Sequence, residues 1–291
     1  MNNPSEWAWE SAAASDADVE LATRLIREAG DLAARMRAEG VASQRKSSVS
    51  DIVTAADHAA ERLIVDTLAA ERPCDGVRGE EGSSRAGSSG RRWVIDPVDG
   101  TWNFHSGMDY WCCALALVDA RAGEGQSVAG DGADLRGDGE DLGDAACLLG
   151  AVYRPATRTL WLGGPGRPTT ENAHPVPGVV QAPLAECSLG TYIAPGAPDD
   201  PAIFEPLRSM LAGVATPRVL GSGSVDLAGV ASGRLGCWAQ HSCPEWDWLP
   251  GAALVRAAGG VTATLQHRGL TWYLAGGRAA VDELADRLCA G

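Results

Sequence analysis

Between residues 16 and 39 the apolar positions Val19, Leu21, Leu25, Ile26, Leu32, Ala33 and Met36 recur at helical spacing, and Gly40 follows as a stop. The pattern predicts an amphipathic helix with this face in a core. A second periodic run, Leu63, Ile64 and Leu68, is preceded by Thr54 and Asp57 in the arrangement of a capping box and followed by Pro73, which predicts a helix over 54–71. The period then changes. Residues 92–95 read as a short strand running into Asp96 and Pro97, where the proline is expected to break it. Residues 111–119, 146–153 and 159–162 read as neighbouring antiparallel strands. Past a proline-rich stretch at 167–183, short strands and helical runs alternate (217–220, 224–231, 237–238, 247–258, 261–265), as in an α/β lobe. Two lobes are therefore expected, 1–166 and 167–291. Residues 121–144, rich in Gly and Asp with almost no large apolar side chain, cannot repay their ordering entropy and read as a mobile acidic insertion.

Composition narrows the function. The chain has 291 residues, of which 45% are hydrophobic, enough for a sizeable core. With 38 acidic against 24 basic residues the net charge is −14, which argues against an electrostatic nucleic-acid binder or a polybasic membrane-surface protein. An anionic ligand would have to be held locally, through a cation. The first ten residues carry no basic segment followed by an apolar run, and no apolar stretch approaches the roughly 18 residues of a membrane span, so a cytoplasmic protein without membrane partners is expected. Eight scattered cysteines with no C-x-x-C pair read as buried reduced thiols, and His241 with Cys243 lacks the further ligands of a soft-metal site. Only one of the 24 basic residues is lysine, Lys46, which suggests a position that needs an ammonium.

The most informative stretch is 96–104. Asp96 and Asp99 stand three apart at a strand end, and like charges that close raise one another's pKa unless a cation intervenes. A hard divalent ion is the economical solution, and Mg²⁺ is favoured because it needs few protein carboxylates and leaves room for phosphate and water. Gly100 and Thr101 follow where a helix could begin, offering backbone amides to a phosphate. Glu80 with Glu81, Asp57, and Asp247 in the first turn of a predicted helix each have an ordinary structural reading when taken singly.

Taken together, these segments resemble the inositol monophosphatase family, within the lithium-sensitive phosphatase superfamily that includes fructose-1,6-bisphosphatase. The resemblance rests on Lys46 to Asp57, on Gly79-Glu80-Glu81, on Trp93 to Phe104 with Asp96, Asp99, Gly100 and Thr101, and on Trp246-Asp247 followed by Gly259-Gly260. It implies an α+β fold, a layered α/β/α/β/α sandwich. It implies two or three Mg²⁺ ions on Glu80, Asp96, Asp99, Asp247 and the Val98 carbonyl, and catalytic roles for Glu80, Asp57, Thr101 and Lys46. Thr101, hydrogen-bonded to Asp57, would orient an attacking water for in-line displacement, and Lys46 would lie in a loop near the metal site. Substrate contacts are implied for Gly100, Thr101, Gly221, Ser222, Gln240 and Asp247. Gln240 stands where relatives usually carry a glutamate, and an amide gives up charge-assisted hydrogen bonding to ring hydroxyls. The expected activity is hydrolysis of a small phosphorylated alcohol, similar to inositol monophosphate or histidinol phosphate. Inhibition by Li⁺ and a homodimer are implied as well. The alternatives are a fold-retaining regulatory or binding protein, or a phosphatase of 3′-phosphoadenosine 5′-phosphate or fructose 1,6-bisphosphate.

Overall fold

The computed structural model describes residues 13–40, 43–45, 52–120 and 147–290. Lys46 and the 121–144 insertion lie outside them. The described chain runs α1 (Asp16–Glu39), β1 (Ser43–Arg45), β2 (Ile52–Thr54), α2 (Ala55–Glu71), β3 (Gly76–Gly79), β4 (Ser84–Arg85), β5 (Arg91–Asp99), α3 (Thr101–His105), β6 (Cys112–Asp119), β7 (Cys147–Arg154), β8 (Thr159–Gly164), β9 (Arg167–Glu171) and β10 (His174–Pro175). It continues through β11 (Ser188–Gly190), α4 (Pro201–Leu211), β12 (Thr216–Arg218), α5 (Gly223–Ala231), β13 (Cys237–His241), α6 (Glu245–Ala257), β14 (Val261–His267), β15 (Leu270–Gly276) and α7 (Arg278–Ala290). Both long N-terminal helices start as the sequence predicts. Ser15 and Thr54 cap them, each in a reciprocal capping box with an aspartate three residues on, Asp18 and Asp57.

Two sheets organise the rest, one of eight strands in the order β10-β9-β8-β7-β6-β5-β3-β4 and one of five in the order β12-β11-β13-β15-β14. Strand alternation decides the layers. On β5 and β6, Trp93, Ile95, Cys113, Leu115 and Leu117 face a core shared with α1 and α2, while Val94, Cys112, Ala114, Ala116 and Val118 face one shared with α5 and α6. The second sheet covers the other side of α5 and α6 through Trp238 and Ala275, and its far face packs Ala239, Trp272 and Leu274 on α4 and α7. The result is the five-layer α/β/α/β/α sandwich, with α5 and α6 as the filling between the sheets.

Three expectations shift. Asp96-Pro97 does not end its strand: β5 runs on to Asp99, with the register against β6 slipping between Asp96 and Asp99. The slip is a bulge, which absorbs the proline and re-aims the side chains that follow. The first sheet also extends beyond residue 166, because β9 pairs with β8 and β10 with β9, so the passage between sheets falls after Pro175. Of the eight free cysteines, Cys74 and Cys289 are exposed; the other six are buried.

Close backbone contact lets α6 settle on the first sheet. A Cβ on Gly150 of β7 would stand 2.2 Å from the Pro250 carbonyl oxygen and 2.9 Å from Ala253 Cβ. Gly150→Ala is therefore expected to cost about 1–3 kcal/mol by forcing the helix off the sheet, whereas Gly196→Ala, with nothing within 4 Å of the added methyl, should be close to neutral. Urea unfolding midpoints check this, and equal midpoints for the two variants would refute the close approach.

Candidate active site

Three elements deliver carboxylates to one cleft of about 300 Å³, lined by Glu80, Asp96, Val98, Asp99, Gly100, Thr101, Tyr192 and Asp247. Glu80 comes from the turn after β3, Asp96 and Asp99 from the bulged end of β5, and Asp247 from the first turn of α6. All the expected metal-ligating residues therefore converge, from positions up to 167 residues apart in the chain.

Each is held by neighbours the sequence did not advertise. Glu61, buried on α2, accepts hydrogen bonds from the backbone N–H of Glu81 (2.9 Å) and of Ser83 (3.1 Å), pinning the turn that carries Glu80. Gly79 leaves room for that carboxylate, since a Cβ there would stand 2.3 Å from Glu61 Oε2 and displace it. The available signal was the i, i+4 alignment of Glu61 with Asp57 on a face otherwise made of Ala60, Ile64 and Leu68. Asp96 Oδ1 accepts from the Val98 N–H at 2.9 Å, and Asp99 Oδ2 accepts from the Ser224 N–H at 2.6 Å, in the first turn of α5. Gly100 takes a left-handed conformation (φ 91°), and its α-carbon faces the Gly221 carbonyl so closely that a Cβ would lie 2.9 Å from that oxygen. Asn103 ties the two segments together by donating to the carbonyls of Tyr110 (2.7 Å) and Leu220 (2.8 Å).

The remaining expected site residues fall elsewhere or bond differently. Thr101 Oγ donates to the Val98 carbonyl at 3.0 Å in place of Asp57. Asp57 is fully buried outside the cleft lining, its Oδ2 bonded to the hydroxyl and backbone N–H of Thr54 within the capping box, and its Oδ1 without a hydrogen-bond partner among the described residues. Ser222 is buried as the N-cap of α5, accepting from Val225 N–H, so its hydroxyl serves the helix. Gly221 supports Gly100 from behind, and Gln240 lies on β13 opposite Tyr273; neither lines the cleft. Tyr192 does line it, 44% exposed, in a segment the sequence reading passed over.

Electrostatics are those of crowded acids. Burial, then the charges of Glu80, Asp99 and Asp247, hold the Asp96 carboxyl well above the usual carboxylate range. Burial raises Asp99 too, against hydrogen bonds from Ser224 and Ser222, and raises Asp247, with the charges of Asp99 and Glu80 adding to it. Among the described residues no three His, Cys, Asp or Glu side chains already close as a ligand set. Four carboxylates with a backbone carbonyl are hard oxygen donors, and they fit Mg²⁺ better than any soft metal.

Comparison with known proteins gives the family. The model of the inositol monophosphatase family matches residues 15–130 and 143–290. The chain belongs to that family. Its members are metal-dependent phosphatases acting on phosphoric monoesters. The chain is 32% identical over 214 residues, 72% of its own length and 71% of the other's, to the inositol-1-monophosphatase of Rhizobium meliloti (strain 1021). It is 31% identical over 252 residues, 84% of each chain, to Nus factor SuhB of Pseudomonas aeruginosa. Its fold matches the crystal structure of extragenic suppressor protein suhB from Bartonella henselae with a TM-score of 0.79 at 24% identity, over 95% of this chain and 100% of that one. No described helix is long and apolar enough to cross a membrane.

Behind the cleft, Asp226 on α5 accepts the Tyr110 hydroxyl at 2.6 Å, and burial pushes its carboxyl up to about 7 despite that hydrogen bond. A carboxyl that holds its proton more tightly when folded favours folding at low pH and loses that contribution as pH rises from its unfolded value, about 4, through its folded one. Asp226→Asn keeps an acceptor for Tyr110 and removes the titration. Its stability relative to the parent is expected to be about 2–4 kcal/mol more favourable at pH 8 than at pH 5. Unfolding measured at the two pH values checks this, and an equal difference at both would refute it.

Proposed function

We propose that this chain is a Mg²⁺-dependent phosphomonoesterase acting on a small phosphorylated alcohol. The observation that carries the reading is the convergence of Glu80, Asp96, Asp99 and Asp247 on one small cleft beside Gly100 and Thr101. Its volume lies at the lower end of small-molecule sites, about 300–1,000 Å³, which suits a single polyol or sugar monophosphate. Glu80, Asp96, Asp99, Asp247 and the Val98 carbonyl would hold the ions. Bound Mg²⁺ supplies charge neutralisation at the phosphoryl oxygens and a water of lowered pKa.

The chain's own residues do the positioning. A five-residue helix has little dipole to offer, so the phosphate is held by individual amides of Gly100 and Thr101 more than by α3 as a whole. Thr101, its proton committed to the Val98 carbonyl, presents its oxygen as an acceptor that can orient a water's proton. Asp57 acts from behind: burial raises its carboxyl to about 6, opposed by hydrogen bonds from Thr54, and its Oδ1, without a hydrogen-bond partner among the described residues, is left as an acceptor for a water. Tyr192 supplies the wall against which the alcohol portion rests. Inhibition by Li⁺ and a homodimeric, cytoplasmic protein belong to the same reading. Lys46 is proposed to approach the site on the strength of the family resemblance.

A second reading, partner binding with slight turnover, is favoured by one observation: a relative matched over 84% of the chain bears the name of a Nus factor. Phosphate release from inositol 1-phosphate, histidinol phosphate, 3′-phosphoadenosine 5′-phosphate and fructose 1,6-bisphosphate, with and without Mg²⁺, separates the two. Mg²⁺-dependent release is expected from at least one, reduced more than about 100-fold by Asp99→Asn, since loss of a direct ligand should exceed the 10–100-fold of an outer-shell change. No release from any of the four, with a co-purifying partner still bound by Asp99→Asn, would favour the second reading.

A further inference from the structure

Glu245 opens α6 two residues ahead of Asp247 and reaches toward the first sheet. Its Oε2 accepts a hydrogen bond from Arg92 Nη2 at 2.7 Å, and its Oε1 lies 3.5 Å from Arg78 Nε. The side chains of Glu245, Arg92 and Arg78 are 18%, 19% and 24% exposed, so water screens these pairs far less than it does Arg24–Glu71, whose partners are 42% and 44% exposed.

The two arginines belong to the strands that deliver the other ligands. Arg78 stands on β3 two residues before Glu80, and Arg92 on β5 four residues before Asp96. β3 and β5 are parallel neighbours with Arg78 beside Val94, so the two-residue alternation puts Arg78, Arg92, Val94 and Asp96 on the face toward α6. One carboxylate is therefore hydrogen-bonded to the strand that carries Asp96 and ion-paired with the strand that leads to Glu80, from the turn of helix that carries Asp247.

Rigid placement there needs something directional. The middle of α6 is seated by apolar contact, Trp248 and Leu249 in the core between the sheets and Pro250 over Gly150, and such contact resists separation more than it resists sliding or tilting. A charge-assisted hydrogen bond at the helix's first residue fixes both its distance and its direction. We infer that Glu245 is a positioning residue: with Arg78 and Arg92 it forms an ionic tether that sets the distance of Asp247 from Glu80 and Asp96, and so tunes the affinity of the cleft for a divalent cation. The inference rests on the metal reading of the cleft and goes beyond it to a residue outside the ligand set.

Titration calorimetry of the full chain with Mg²⁺, at a temperature where circular dichroism shows each metal-free variant folded, tests it. Glu245→Gln is expected to raise the Kd about tenfold, the effect of a typical outer-shell change, while Glu71→Gln, on the exposed pair, leaves it unchanged. Glu245→Asp keeps the charge but is one methylene short, and is expected to weaken binding as well. Wild-type affinity in either Glu245 variant would overturn the tether. Arg92→Gln breaks the same link from the strand side and serves if Glu245→Gln does not fold; an unchanged Kd there would overturn it too. The Glu245→Gln, Arg92→Gln double variant should bind no more weakly than the worse single one, and additive losses would count against a shared role. Wild-type protein that takes up no Mg²⁺ would overturn the metal reading itself, and the tether with it.

Discussion

Four carboxylates held close together with little water around them repel one another, and most of the architecture around the cleft answers that repulsion. No single element could carry them all. Strand alternation and helical spacing would spread neighbouring acids over opposite faces or put them a full turn apart. The chain brings them from three elements instead, two in one sheet and one on a helix pressed against that sheet. Placing them is then a problem of packing between elements, and close approach at Gly150 and Gly79 is part of the solution.

The hydrogen bonds around the acids divide the work. The donors that meet Asp96 and Asp99 directly are neutral, among them Val98 N–H to Asp96 and Ser224 N–H to Asp99, and they favour the charged form without introducing a cation that would compete with a metal. Groups further out fix the segments. Glu61 holds the turn after β3, Asn103 clamps α3 to the loop before α5, and Glu245 joins α6 to β5 by a hydrogen bond and to β3 by an ion pair. Arg78 and Arg92, on the strands that lead to Glu80 and Asp96, are themselves paired to the Glu245 carboxylate, in a chain that is acidic overall.

Much of this was legible beforehand because it depends on neighbours in sequence. The helices at 16–39 and 55–71 follow from apolar periodicity and capping boxes, which are local, and the antiparallel strands from alternation bounded by turn residues. That Glu80, Asp96, Asp99 and Asp247 share one cleft was legible because motif order survives even where each acid alone has an ordinary reading. The substrate contacts were less so. Ser222 is a buried helix cap, Gln240 is not among the residues that line the cleft, and Tyr192 enters it from a stretch without periodicity or motif. A side chain's orientation at a strand-to-helix turn depends on which hydrogen bonds the turn completes, and spacing along the chain does not encode that.

By itself, then, the sequence determined the two long N-terminal helices, the central antiparallel strands, the family and the acids that belong together, because propensity, capping and motif chemistry act within a few residues. Only the tertiary structure decided that β5 continues through Pro97 as a bulge, that the first sheet reaches Pro175, and that Thr101 bonds to Val98 while Asp57 is held by Thr54. It also decided that Glu61 and Glu245 brace the cleft. These outcomes turn on partners 20 to 153 residues away or on competition between nearby donors and acceptors, and a hydrogen bond's choice among partners is settled only when packing has placed them all.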